Sequence, residues 1–238
     1  MASSEHVSPA DQLRDPQTAL LPDVRADFTA VMREDGSFSK ISLEDRHDSI
    51  REFTLLESVP LNIRVHFETA KNLYLYAWFV YRFFPVAEKH ALATLEFALR
   101  ERLSVWMLQT DGSKAKVPRG LRRLISLAMT EKLISNDGLR ANERLARQRA
   151  RYRVSMDRIR EMEARGLTEM AFEDVPIQPL PEDYAHDSLK IFEQNLPMIR
   201  NTYAHGSSML HPTVLGTFEI VTDLVNQLFP LKTSADSN

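Results

Sequence analysis

Apolar residues recur at steps of three and four along most of the chain after residue 58, which is the spacing of one face of an α-helix. Ser58 and Pro60 mark the start of a first long helix. Its main stripe is expected at positions 65, 69, 73, 76, 80 and 83. Pro85 is expected to break this helix and to start a second one that runs from 86 to 108. So short a turn predicts that the two helices pack as an antiparallel hairpin.

The same periodicity predicts three further helical stretches. An amphipathic helix at 118–134 carries Arg119, Arg122 and Arg123 on its outer face. A segment at 139–165 without glycine or proline follows, and Gly166 ends it. A linker with three prolines then leads to a helix that begins between residues 183 and 188 and should bend at Pro197. A last helix spans 214–229.

The part before residue 58 has a different pattern. Residues 1–24 show little periodicity and are expected to form a mobile tail. Asp35-Gly36 lies between two strand-like runs and predicts a β-hairpin. Ser42 then has the position of an N-cap, with Asp45 completing a capping box.

These elements predict a mainly α protein, an antiparallel helical bundle with a long basic helical insertion and a small N-terminal hairpin. The expected division is an N-terminal extension at 1–57, a helical domain at 58–230 and a disordered tail at 231–238. Within the helical domain, 136–182 holds the insertion helix and the proline-rich linker.

Composition narrows the classes of function. The net charge is −3, so any affinity for nucleic acid must come from a local patch. The chain has no cysteine, which excludes disulfides, thiolate nucleophiles and cysteine-based zinc sites. Neither a secretory signal nor a membrane-spanning run is visible, so a soluble cytoplasmic protein without membrane contact is expected. No phosphate loop, nucleophile elbow or metal-binding spacing occurs, and no cofactor is predicted.

The candidate chemistry lies at 197–206, which reads Pro-Met-Ile-Arg-Asn-Thr-Tyr-Ala-His-Gly. Arg200 and Asn201 fall near the end of the predicted helix, and His205 follows about one turn later. An arginine neutralises phosphate, an imidazole moves protons near pH 7 and an amide orients a neighbour. Arg200, Asn201 and His205 are therefore the candidate catalytic residues for work on a phosphodiester.

This stretch resembles the Arg-Asn-x-x-Ala-His-Gly signature of the HEPN superfamily of small α-helical proteins. The layout is also similar, with two long apolar helices at 59–108, the motif helix and a short closing helix at 213–229. The resemblance covers roughly half of the chain and leaves out 1–57 and the basic segment at 136–165. It implies a HEPN-like bundle, a metal-independent endoribonuclease and a homodimer with its site at the twofold interface. It also implies a role as a toxin, defence or stress effector, with an antitoxin or regulatory protein as a partner.

In the nuclease implied by this resemblance, His205 is the general acid or base, Arg200 stabilises the phosphoryl charge, and Asn201 holds the histidine or the phosphate. The alternative is a non-catalytic HEPN-like module that binds a protein, a nucleotide or RNA, with the motif serving as a helix cap or a binding pocket. A third alternative is an apolar ligand pocket among Trp78, Phe79 and Trp106.

The segment at 139–165 carries nine arginines. Four of them share one helical face at steps of four, three and four, namely Arg140, Arg144, Arg147 and Arg151. Such a stripe is a candidate contact to the RNA backbone. The alternative is a solvated helix that packs through a thin apolar seam of Leu145, Tyr152, Met156 and Ile159.

Overall fold

The computed structural model describes residues 7–28, 30–110, 116–171, 176–204 and 211–231. It confirms a mainly α fold with a small N-terminal hairpin. The two strands are β1 (Ala30–Met32) and β2 (Phe38–Lys40). The helices are α1 (Leu43–Arg51), α2 (Leu61–Tyr76), α3 (Phe83–Thr110), α4 (Leu121–Thr130), α5 (Arg140–Arg165), α6 (Ser188–Ala204) and α7 (Leu215–Leu228). The predicted tail from residue 232 onward lies outside the described residues.

Helix α3 lies at the centre of the bundle and contacts α2, α4, α6 and α7. Its pairing with α2 is antiparallel, because the rings of Tyr74 and Phe84 are 5.4 Å apart and those of His66 and His90 are 4.0 Å apart. This confirms the predicted helical hairpin. Eleven α3 side chains are buried, including the charged residues Glu88 and Glu96. A central helix therefore brings two carboxylates into the interior.

The predicted buried stripe is wrong at positions 65, 69 and 76, which are exposed, while the side chains at 73, 80 and 83 are half-buried. In α2 the side chains that are buried belong to Ile63, Phe67, Ala70 and Tyr74, whereas Val65 is 58% exposed and Tyr76 is 51% exposed. Both stripes contain apolar residues at helical spacing, so periodicity alone cannot show which of them meets the core.

The boundary between α2 and α3 also differs from the prediction. Helix α2 ends at Tyr76, and α3 begins at Phe83, so that Pro85 lies in its first turn rather than between the helices. The first amides of a helix have no partner within it, so a proline is tolerated there.

The N-terminal hairpin and α1 form as the sequence predicts. The strands pair in antiparallel register, with Ala30 opposite Lys40, and Gly36 takes a φ of +81° in the turn. Ser42 Oγ accepts from the Asp45 amide at 3.1 Å, and the Asp45 carboxylate accepts from the Ser42 amide at 2.8 Å. This is the predicted capping box.

The segment at 7–28 contacts the turn between α2 and α3. The carboxylate of Asp23 is buried and accepts two bonds of 2.8 Å from the Arg25 guanidinium and one of 3.0 Å from the Tyr81 amide. Although burial acts in the other direction, these hydrogen bonds lower the pKa of Asp23. The Arg25 guanidinium also lies 5.1 Å from the centre of the Tyr81 ring. Part of the predicted tail is therefore tied to the helical body.

Two histidines stack between α2 and α3. His66 Nδ1 is 2.7 Å from Thr94 Oγ1, which itself donates to the carbonyl of His90 at 3.0 Å. Since the threonine proton is used, His66 must donate from Nδ1. The Nε2 atom of His90 is buried and has no hydrogen-bond partner among the residues that the structure describes. Burial lowers the pKa of both imidazoles, and the His66 charge lowers that of His90 further.

This pair predicts a loss of stability at mildly acidic pH. Because both pKa values are lower in the folded state, the unfolded chain binds more protons, and stability decreases as the pH falls below about 6.5. Chemical denaturation at pH 7.5 and 5.5 should show a smaller pH dependence for His90→Gln than for the parent protein. His47, which is exposed, provides the control. An equal reduction in His47→Gln would contradict this assignment.

No helix in the described ranges has the length and apolar character that a membrane span requires.

Candidate functional site

The motif helix α6 packs on α3 and α4 and ends, within the described residues, at Ala204. Leu189 and Leu196 are buried and Phe192 packs against the core. Arg200 and Asn201 therefore lie in the last turn of the helix, where the sequence placed them. His205, the third candidate catalytic residue, lies outside the described residues.

The guanidinium of Arg200 is held by a buried carboxylate of the central helix. Its Nη2 donates to Glu96 Oε2 at 3.2 Å, and its Nη1 donates to Asn201 Oδ1 at 3.2 Å. The other oxygen of Glu96 accepts from Arg100 at 2.6 Å. Glu96 is 8% exposed, while the Arg200 side chain is 40% exposed. The guanidinium of Arg200 is thus held in place by Glu96, while part of its side chain remains accessible to solvent.

The arrangement of Arg200 distinguishes two interpretations of the motif. A helix cap would place the guanidinium on the carbonyls at the end of its own helix. Within the described part of the chain, the hydrogen bonds of Arg200 instead go to the Glu96 and Asn201 side chains. This geometry favours a guanidinium that is available to a ligand.

Arg200 and Asn201 line an open cleft of about 240 Å³ between α6 and the start of α4. The remaining lining residues are Arg119, Gly120, Leu121, Arg122, Arg123 and Pro197. Four arginines therefore line one small cleft. Three of them, at positions 119, 122 and 123, were predicted on the outer face of this helix, and all three are exposed. The sequence did not show that they meet Arg200.

The carboxylates near the cleft balance only part of this charge. Arg122 Nε is 4.0 Å from Glu193 Oε1, while the other oxygen of Glu193 is 2.7 Å from Lys190 Nζ. Arg119 and Arg123 have no carboxylate partner in the described ranges. The cleft is therefore positively charged in a protein with a net charge of −3.

A second polar cluster lies around Glu88, about two turns before Glu96 on α3. This carboxylate is 3% exposed and accepts from Tyr203 Oη at 2.7 Å and from Thr217 Oγ1 at 2.5 Å. His211 Nε2 lies 2.6 Å from the same tyrosine oxygen. Burial and the Glu88 carboxylate raise the pKa of Tyr203, so its hydroxyl remains a donor and Nε2 of His211 must donate to it. Glu88 thus connects the end of α6 with His211 and with α7.

The predicted basic stripe on α5 is used in part for packing. Arg140 Nε and Arg144 Nη1 each donate at 2.7 Å, to Asp223 and Glu219 of α7 respectively. Arg147 pairs at 3.1 Å with Glu143 on its own helix. Together with Arg151 it borders a groove beside the proline-rich linker. RNA contact by these four arginines stays a prediction, and two of them have a structural role.

The predicted apolar seam of α5 is wrong at two of its four positions, while Leu145 and Met156 are half-buried. Tyr152 is 68% exposed and Ile159 is 46% exposed, whereas Asn142, Ala146 and Ala150 are buried. Small alanines allow α5 to approach its neighbours closely. Those neighbours are α7 and the short 3₁₀-helices at 136–138 and 181–184.

Comparison of the chain with protein-family models, with curated proteins and with solved structures found no match. The HEPN resemblance therefore depends on the quoted motif and helix layout alone. Among the described residues, no group of three or more histidine, aspartate and glutamate side chains could hold a metal ion.

Sequence reasoning missed several of the residues that shape this site. Glu88 and Glu96 are eight positions apart on α3, and that spacing places them on one face about two turns apart. Charged residues are seldom buried without a partner, so their presence on the buried face of α3 was a usable signal. No local pattern linked the arginines at 119–123 with Arg200.

Proposed function

We propose that the protein is a metal-independent endoribonuclease whose active site contains Arg200, Asn201 and His205. The observation that carries this proposal is the guanidinium of Arg200, which the buried Glu96 carboxylate holds at the wall of a positively charged cleft. A fixed arginine that needs no reorganisation is suited to stabilise charge that develops on a phosphoryl group. The motif resemblance supports the same role.

In the proposed reaction, His205 removes the proton of a ribose 2′-hydroxyl, and the resulting oxygen attacks the adjacent phosphorus. Arg200 stabilises the additional negative charge on the non-bridging oxygens. The bond from phosphorus to the 5′-oxygen breaks, and that oxygen takes up a proton. The products are a 2′,3′-cyclic phosphate and a free 5′-hydroxyl. Asn201 lies within hydrogen-bond distance of Arg200 and restrains its orientation.

A homodimer is part of this proposal. A second copy of the chain supplies a second Arg–His set, which provides a general acid for the leaving 5′-oxygen. Exposed apolar side chains on α2 offer a contact surface, namely those of Leu61, Val65 and Tyr76. Sedimentation of the purified protein tests this part separately.

The decisive experiment is cleavage of end-labelled single-stranded RNA and total tRNA in the presence of EDTA. His205→Ala and Arg200→Ala should each reduce the rate by at least about a hundredfold. Arg160→Ala is the matched control, because Arg160 is exposed on α5 and pairs only with Asp157 at 3.1 Å among the described residues. Its rate should equal that of the parent protein.

Two results would contradict the proposal. One is cleavage that persists unchanged in folded His205→Ala, which would place the activity elsewhere. The other is a folded parent protein that cuts none of these RNAs, or that leaves 3′-phosphate ends without a cyclic intermediate.

A further inference from the structure

The cleft beside the motif contains more positive charge than the proposed chemistry requires. Arg122 and Arg123 lie in the first turn of α4, Arg119 lies two residues before this helix, and all three line the cleft. Arg200 reaches the same cleft from α6. The nuclease motif accounts for Arg200 but for none of the other three.

The four arginines that line this cleft carry charges of the same sign. Like charges that share a cleft repel each other, and Glu193, which is 4.0 Å from Arg122, is already paired with Lys190. Arg119 and Arg123 lack a carboxylate partner among the residues of the described ranges. A bound anion would remove this repulsion and would gain charge-assisted hydrogen bonds.

The type of side chain and the size of the cleft indicate which anion fits. Arginine binds phosphate through two parallel hydrogen bonds, and several arginines together suit an anion with several phosphates. The volume of about 240 Å³ is below the usual range for a pocket that encloses a whole small molecule. An open cleft of this size fits one phosphate group of a strand that continues beyond it on either side.

We infer that Arg119, Arg122 and Arg123 bind backbone phosphates of a single-stranded RNA next to the phosphate that Arg200 contacts. This inference rests on the proposed function for the identity of the strand as RNA. It assigns substrate binding to α4, whereas the resemblance draws attention only to α6. Because the contacts are to the backbone, they give affinity without base preference.

The test is binding of a fluorescein-labelled 2′-deoxy oligonucleotide of twelve thymidines, measured by fluorescence anisotropy at several NaCl concentrations. A deoxy strand has no 2′-hydroxyl, so the proposed reaction cannot cut it and binding is measured alone. The variant Arg122→Ala/Arg123→Ala removes two phosphate contacts. The slope of the logarithm of the association constant against the logarithm of the salt concentration is negative. Its magnitude should be smaller in the variant than in the parent protein by about 1.4, which is about 0.7 for each contact to a single strand.

The matched control is Arg160→Ala/Arg165→Ala, which removes two exposed arginines of α5 that pair with Asp157 and Glu161. It should keep the slope and affinity of the parent protein. An equal fall in both double variants would mean a general charge effect and would overturn the inference. No change in Arg122→Ala/Arg123→Ala would overturn it as well.

A competition experiment separates a strand from a free nucleotide. If AMP or inorganic phosphate displaces the oligonucleotide at concentrations near the oligonucleotide's own dissociation constant, the cleft is a site for a free nucleotide or phosphate, and the inference is wrong. Displacement only by longer strands supports it.

Failure of this inference and failure of the proposed function give different results. If the parent protein cuts RNA in a His205-dependent manner but the Arg122→Ala/Arg123→Ala variant binds and cuts normally, the proposed function stands and the inferred phosphate contacts are wrong. A protein that binds the deoxy strand through α4 without cutting RNA keeps the subsite and loses the function.

Discussion

Phe218→Ala is expected to lower the free energy of unfolding by about 3 to 5 kcal/mol. The Phe218 side chain is fully buried on α7, and its ring lies 5.8 Å from that of Phe67 and 6.0 Å from that of Tyr74. These contacts join α7 to α2 next to the central helix. Truncation removes the transfer free energy of the ring and leaves a cavity that helices on several sides cannot close.

Thermal and urea unfolding of the variant measure this effect. For a chain of 238 residues the midpoint temperature should fall by roughly 6 to 20 °C. Phe38→Ala is the matched control, since Phe38 is 74% exposed on β2. A loss for Phe218→Ala no larger than that for Phe38→Ala would mean that α7 is not packed in this way.

Glu88→Ala is the second large expected effect, with a loss of about 3 kcal/mol or more. The substitution removes the carboxylate that accepts from Tyr203 and Thr217, and it leaves the buried hydroxyl of Thr217 and the half-buried hydroxyl of Tyr203 without this acceptor. His211 Nε2, at 3.6 Å from Glu88, also loses its nearby carboxylate. An unsatisfied buried donor costs its full desolvation free energy, and the loss of the second hydrogen bond adds to it.

A comparison of two replacements of Glu88 tests whether the lost hydrogen bonds cause the loss of stability. Glu88→Gln keeps one carbonyl oxygen as an acceptor at nearly the same volume, so it should lose clearly less stability than Glu88→Ala. Glu68→Ala, on an exposed position of α2, should change stability by less than about 0.5 kcal/mol. Equal losses for Glu88→Gln and Glu88→Ala would show that the charge, rather than hydrogen bonding, provides the stabilisation.

Local sequence signals predicted those features that depend on interactions between residues close together in the chain. The Ser42 and Asp45 capping box, the turn at Gly36 and the end of α5 at Gly166 depend on neighbours within a few residues. The antiparallel pairing of α2 with α3 follows from the short connection between them. Each of these features could be read from a window of the chain.

The wrong predictions concern which of two apolar faces of a helix packs against the core. Val65 and Tyr76 have the correct spacing for a core stripe of α2, and Tyr152 and Ile159 have it on α5, yet all four are exposed. Helix α5 instead buries Ala146 and Ala150, whose small side chains carry little weight in a hydrophobic pattern. Burial depends on the shape of the partner surface, which a periodic pattern does not contain.

For the candidate site, the sequence alone determined that Arg200 and Asn201 lie together at the end of a helix, because adjacent residues in a helical turn have fixed geometry. Only the tertiary structure decided that Glu96 orients Arg200, that Glu88 joins the ends of two helices, and that the arginines at 119–123 share a cleft with Arg200. These contacts join residues 77 or more positions apart, from Arg123 to Arg200, and such pairs meet only after the helices have packed around α3.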